Sequence, residues 1–215
     1  MADFSITPER TALLNVDMQN CFVHGSPASA PEGLQLLERI NRLAAACRAA
    51  GLMVIHVSHL LRPDRSDAGL LAEFPLIAEG MLDKGSRSAA LHGDLIVEPG
   101  DVLLEKPRFG AFHGTELELL LRARNIDTVI ISGIATNVCC ETTAREAAVR
   151  DFRVLFLSDG TATFDIGDLT AEEIRKMTCA TIGAVFGRVV SVDEVMARLD
   201  EAQPAKARAE LAVHS

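Results

Sequence analysis

Short β-branched apolar runs alternate along the chain with longer segments of helical periodicity. Runs at residues 11–17, 52–58, 102–106, 128–133, 153–159 and 188–192 predict six strands. Several are apolar almost throughout, as expected of strands covered on both faces. Between them, the spacing predicts helices over 32–50, 115–125, 137–150 and 170–181. Arg48-Ala-Ala-Gly51 reads as the first helix's end with a glycine cap. This alternation implies right-handed βαβ units, hence an α/β fold class with a parallel sheet. The segment 60–100 is long and irregular, with Pro63, Pro75, Gly80, Gly85 and Pro99. Loops of that length usually carry function or contacts. Residues 1–202 read as one domain. The Ala- and charge-rich 203–215 reads as a tail or as an arm gripping a neighbouring subunit.

Composition narrows the classes. The chain has 215 residues, 48% of them hydrophobic, enough for a large core, yet no tryptophan or tyrosine. With 21 Lys plus Arg against 30 Asp plus Glu, the net charge of -9 repels phosphate backbones and anionic lipid. No nucleic-acid partner is expected, and the lack of Trp and Tyr weighs the same way. No apolar run approaches the roughly 20 residues that span a bilayer, so no membrane partner is expected. MADFSITPER lacks a basic region followed by an apolar stretch, and the five cysteines have no C-x-x-C spacing. Reduced thiols in a cytoplasmic protein are the expectation.

In open parallel sheets, sites form beyond the carboxyl ends of strands. The first predicted strand ends at Asp17, the third at Lys106, and the fourth runs through Gly133-Ile-Ala-Thr-Asn-Val into Cys139. A helix start or a nearby cation lowers a thiol's pKa, so Cys139 is placed to act as a thiolate nucleophile. Cys140, Ala144, Ala147 and Ala148 fall on one small-residue stripe, which assigns Cys140 to packing against the sheet. Asp17 is placed to take the thiol proton and return it to the leaving amine, with Lys106 pairing the carboxylate. The backbone N–H groups of Ala135 and Cys139 are candidates for an oxyanion hole. Each residue alone has a blander reading: an inert buried thiol, a loop-capping aspartate, a solvated lysine. The three at neighbouring strand ends favour the chemical one.

Asp17-Met-Gln-Asn, Glu105-Lys106-Pro107-Arg108-Phe109 and Gly133-Ile-Ala-Thr-Asn-Val-Cys139, the last continuing Glu141-Thr-Thr-Ala-Arg-Glu-Ala, resemble the three signature blocks of the isochorismatase-like cysteine hydrolases. The resemblance covers roughly residues 8–195. It implies a single-domain, three-layer Rossmann-like fold on a six-stranded parallel sheet, an Asp17–Lys106–Cys139 triad, and a cis peptide between Ile134 and Ala135. It further implies hydrolysis of a carbon–nitrogen amide bond through a thioester, no cofactor, and a homo-oligomer, either a tetramer or a dimer. True isochorismatases lack the nucleophilic cysteine, so Cys139 points to the amidase branch. Nicotinamidases carry an Asp-x-His…His metal site after strand two. Here His56-Val-Ser-His59 lacks that pattern, and no metal is expected. His56 reads as a packed strand histidine. Arg62-Pro-Asp64-Arg-Ser-Asp67-Ala-Gly looks like the loop of the branch with N-carbamoylsarcosine amidase and the biuret and ureidoacrylate hydrolases. That implies a small carbamoyl or ureido substrate, with Gln19, Phe22, His59, Phe109, Phe112 and Asn137 as candidate substrate-binding residues. For the three phenylalanines an ordinary core role stands as an equal alternative. Asn20-Cys21-Phe22 departs from the family's frequent Asn-Asp-Phe. A maleamate- or nicotinamide-like amide is the alternative substrate class. A catalytically silent binding module is the alternative of a different kind. A Rossmann dehydrogenase is disfavoured because no G-x-G-x-x-G follows strand one.

Overall fold

The computed structural model describes residues 6–202. The tail or arm expected at 203–215 lies outside the described residues. Six strands, β1 (Thr11–Val16), β2 (Met53–His59), β3 (Val102–Lys106), β4 (Thr128–Ile134), β5 (Arg153–Ala162) and β6 (Arg188–Val190), form one sheet in the order β3-β2-β1-β4-β5-β6. All five pairings are parallel. β1 and β4 are buried along their whole length, as their mostly apolar sequences lead one to expect, and the buried Asn15 and Ser132 side chains pair with each other.

Helices cover both faces. α1 (Gly33–Ala49) buries Leu36, Leu37, Ile40, Leu43, Ala44 and Cys47, one stripe at helical spacing. It shares its face of the sheet with α5 (Val192–Ala202), whose Val192, Val195 and Leu199 join the same core. On the opposite face, α2 (Leu117–Ala123) and α3 (Glu141–Ala148) contribute Leu117, Leu121, Ala144 and Ala147. α4 (Ala171–Thr181) starts at a capping box in which Thr170 and Glu173 satisfy each other's backbone N–H. None of the helices in the described residues is long and apolar enough to cross a membrane.

The run expected as a strand over 188–192 is shorter, and α5 follows where no helix is predicted. The cause is local. Ser191 N–H donates to Glu194 Oε2 at 2.7 Å and Glu194 N–H to Ser191 Oγ at 3.1 Å, a capping box that turns the chain out of β6. Segment 60–100 also contains a 3₁₀ turn, Gly69–Glu73, and a helical turn, Pro75–Ala78, where no regular structure is expected.

Candidate active site

The strand order brings three distant parts of the sequence to one end of the sheet. β1 stops at Val16, and Asp17 turns with a φ of 54°, its N–H donating to the Val57 carbonyl at 2.8 Å. That left-handed conformation is uncommon for any residue with a Cβ, though aspartate tolerates it better than most. Beside it, Gly133 of β4 has a φ of 123°, and a Cβ there would sit 1.9 Å from the Val16 carbonyl oxygen. Only glycine lets the two strand ends approach so closely. The chain then passes a cis peptide between Ile134 and Ala135 and enters a π-helical turn, Thr136–Cys140, that leads into α3.

Lys106 closes β3, in register with His59 at the end of β2. Its side chain reaches past β2, with Nζ 2.8 Å from Asp17 Oδ2 and donating to the Arg108 carbonyl at 3.0 Å. Both side chains of this ion pair are inaccessible to solvent. A carboxylate oxygen of Asp17, a ring nitrogen of His59 and Cys139 Sγ lie within 4.8 Å of one another. Cys139 is 5% exposed, whereas Cys140 is fully buried, its Sγ facing the Ser132 carbonyl at 3.8 Å.

Burial dominates the electrostatics. It pushes the Asp17 carboxyl above its ordinary range, against the opposing pull of Lys106 and of the Cys139 thiol. Burial pulls Lys106 down, but the attraction of Asp17 and Cys139 outweighs it and holds the ammonium protonated. For Cys139 the direction differs from expectation. Burial, and then the Asp17 charge, push the thiol up more than Lys106 pulls it down. The resting group is therefore a thiol rather than the thiolate expected from the helix start. An apolar setting raises a thiol's pKa more than one neighbouring cation lowers it.

A cavity of about 330 Å³ opens onto Cys139. Of the residues singled out in the sequence, Phe22, His59, Phe109, Ala135 and Cys139 line it. Asp17 and Lys106 are sealed off from it, and three of the candidate substrate-binding residues do not line it either. Gln19 is fully buried and its amide is consumed as a clamp. It accepts from the His59 N–H at 2.8 Å and donates to the His59 and Ala89 carbonyls. Phe112 packs in the core against Phe152, ring centroids 5.7 Å apart, beneath the Arg150 guanidinium. Asn137 accepts from the Thr163 hydroxyl at 2.7 Å. The cavity also takes walls that periodicity did not mark, among them Phe74, Ile77 and Leu82 from segment 60–100, and Phe164 after β5.

His59 is the polar exception in this apolar wall. It is 2% exposed, its ring stands edge-on to Phe109 at 6.0 Å, and its Nε2 has no hydrogen-bond partner. Burial first, and the Lys106 charge second, hold its pKa down at about 2, so the ring is neutral. The Pro107 carbonyl is its hydrogen-bonding neighbour on the backbone. Asp17, His59 and Cys139 are also the one set among the described residues with three potential metal donors within reach of one point. The Lys106 ammonium 2.8 Å from Asp17 already neutralises the carboxylate and would repel a cation there.

The profile of the isochorismatase domain family matches residues 11–194. The chain is 36% identical over 175 residues to the ureidoacrylate amidohydrolase RutB of Methylorubrum extorquens, covering 71% of this chain and 70% of that one. It is 32% identical over 228 residues to the ureidoacrylate amidohydrolase RutB of Methylobacterium radiotolerans, covering 97% and 86%. Among solved structures, a cysteine hydrolase from Pseudomonas syringae pv. phaseolicola superposes with a TM-score of 0.86 at 33% identity, covering 94% and 97% of the two chains.

Proposed function

The chain belongs to the isochorismatase-like cysteine hydrolases, and from that premise we propose that it is an amidohydrolase cleaving the carbon–nitrogen bond of a small carbamoyl or ureido compound. The observation that carries this reading is the buried gathering of Asp17, Lys106 and Cys139, with Cys139 lining a cavity. The relatives named ureidoacrylate amidohydrolase support the substrate class.

A thiol that burial keeps protonated beside a carboxyl that burial makes more basic favours concerted transfer. As Cys139 Sγ forms its bond to the substrate carbonyl carbon, its proton passes to Asp17. The backbone N–H groups of Ala135 and Cys139 receive the oxyanion. Lys106 stays protonated throughout, facing one negative charge that moves from Asp17 to the substrate oxygen. The C–N bond then breaks, and the departing nitrogen takes the proton from Asp17. A water gives its proton to Asp17 and adds to the thioester. The C–S bond breaks and the thiol regains its proton. The sum is amide plus water to acid plus amine, with no cofactor required.

Phe22, His59 and Phe109 contact the substrate in this reading. We assign residues 1–202 to one hydrolase domain acting in the cytoplasm as a dimer or tetramer, which light scattering on the purified protein checks. Ammonia release over a panel of small amides and ureides tests the reaction. Cys139→Ser should abolish it, and activity surviving that substitution overturns the mechanism.

A further inference from the structure

We propose that the substrate is uncharged and carries an apolar substituent, its N–H donated to His59 Nε2 and its substituent seated against Phe22, Phe74, Ile77, Phe109 and Phe164. This rests on the amidohydrolase reading and narrows it. Ureidoacrylate, named for the relatives, bears a carboxylate, and this cavity is ill suited to one.

Three observations carry the inference. First, among the described residues no arginine or lysine lines the cavity. The nearby cations are committed elsewhere. Lys106 Nζ serves Asp17 and the Arg108 carbonyl, and Arg108 Nη1 donates to the Asp67 and Pro107 carbonyls. A carboxylate entering here loses its water and meets no counter-ion in the wall. Second, the wall is apolar and aromatic almost throughout, and its volume lies at the small end of ligand sites. That suits one ring or a short branched chain beside an amide. Third, His59 is a neutral imidazole in this wall, and its Nε2 has no partner. In the tautomer that leaves Nε2 unprotonated it presents a lone pair, which a neutral amide or ureide N–H satisfies and a carboxylate oxygen cannot.

The test has two arms. Hydrolysis of phenylacetamide and benzylurea is compared with that of ureidoacrylate by kcat/KM. The neutral compounds should be favoured by about 100-fold or more, the least discrimination an apolar pocket shows against an added polar group. Equal or better turnover of ureidoacrylate overturns the proposal. The second arm needs no turnover. Alkylation of Cys139 by N-benzyl-2-chloroacetamide is compared with that by N-chloroacetylglycine using mass spectrometry, each rate divided by the same reagent's rate with glutathione. A ratio of about 100 in favour of the benzyl reagent supports the proposal, and a ratio near one overturns it. Selective labelling with no amide hydrolysed by the wild-type protein would sink the amidohydrolase reading while leaving the cavity assignment standing. His59→Phe should raise KM for the neutral amide about tenfold with kcat little changed; an unchanged KM removes His59 from substrate recognition.

Discussion

Two charged clusters flank β2, and they differ in how fully their polar atoms are paired. On one side His56 Nε2 lies 3.1 Å from Asp101, whose carboxylate also receives two bonds from the Arg48 guanidinium and one from the Glu98 N–H. His56 Nδ1 faces the Asn15 amide, and Asn15 in turn accepts from the Ser132 hydroxyl at 2.6 Å. On the other side stand Asp17, Lys106 and His59. Among the described residues, the buried side-chain atoms without an aligned hydrogen bond are His59 Nε2, Thr136 Oγ1 and both Asp17 oxygens, although Oδ2 has the Lys106 ammonium at 2.8 Å. All belong to residues at the carboxyl ends of β1, β2 and β4. Buried polar groups are ordinarily paired, so orphans gathered at one place mark where a ligand is expected to complete the bonding. The first cluster is closed on itself, and the second is the one the proposed hydrolysis uses.

The comparison can be broken at several points. The largest effect is expected on the unpaired side. Asp17→Asn keeps the shape but removes the base, and kcat/KM should fall by about 10³-fold, within the usual range for a lost general base; a loss under tenfold would remove Asp17 from proton transfer. Lys106→Met leaves Asp17 buried without its partner and should cost about 3–5 kcal/mol in denaturant unfolding. The double variant Asp17→Leu/Lys106→Met should regain most of that stability while staying inactive, because an apolar pair replaces an ion pair at little cost. Full loss of stability in the double variant would mean that the pair holds the fold as well.

On the paired side the signs reverse. Asp101→Ala removes a carboxylate whose side chain is 3% exposed and should cost about 1–3 kcal/mol, with kcat/KM within a few-fold of wild type. A large kinetic loss at unchanged stability would erase the distinction between the clusters. The last expected effect is in acid and touches stability alone. Burial lowers the pKa of His59 to about 2, below the 6.5 of the unfolded chain. The unfolded state then binds a proton that the folded state refuses. The stability tied to His59 is complete above pH 6.5 and is lost as pH falls towards about 2, at about 1.4 kcal/mol per pH unit. His56, also lowered by burial, adds in the same direction. Urea unfolding of His59→Gln between pH 6.5 and 4.5 should show a flatter dependence, and an unchanged slope would contradict the burial of a neutral ring.

Much of this was legible in the sequence. The six strands announced themselves because fully covered strands are nearly all apolar, and the helix stripe Cys140, Ala144 and Ala147 is buried where the periodicity placed it. Asp17, Lys106 and Cys139 could be picked out because polar residues closing apolar strands are conspicuous. What failed lies where no period exists. Phe109 and Phe112 are three apart on one loop. One faces the cavity and the other the core, and no rule of strand or helix spacing assigns either. Phe74, Ile77 and Leu82 were invisible as walls for the same reason. Helix α5 was missed despite a readable sign: Ser191 and Glu194 have capping-box spacing, but the apolar run before them reads as strand. The upward push of burial on the Cys139 thiol has no sign in the sequence, where a helix start is visible and burial is not.

The strand order has a consequence for how the molecule can be taken apart. β1 lies between β2 and β4, and the pairing of Thr11 with Thr128 joins the amino-terminal half of the sheet to the other half. A cut in the loop between β3 and α2 would leave the base and the lysine on one fragment and the nucleophile on the other. Neither piece could turn over substrate alone, and recovered turnover on mixing would report β1–β4 docking directly. In the intact chain the same long-range closure must precede any chemistry, which places the birth of activity late in folding.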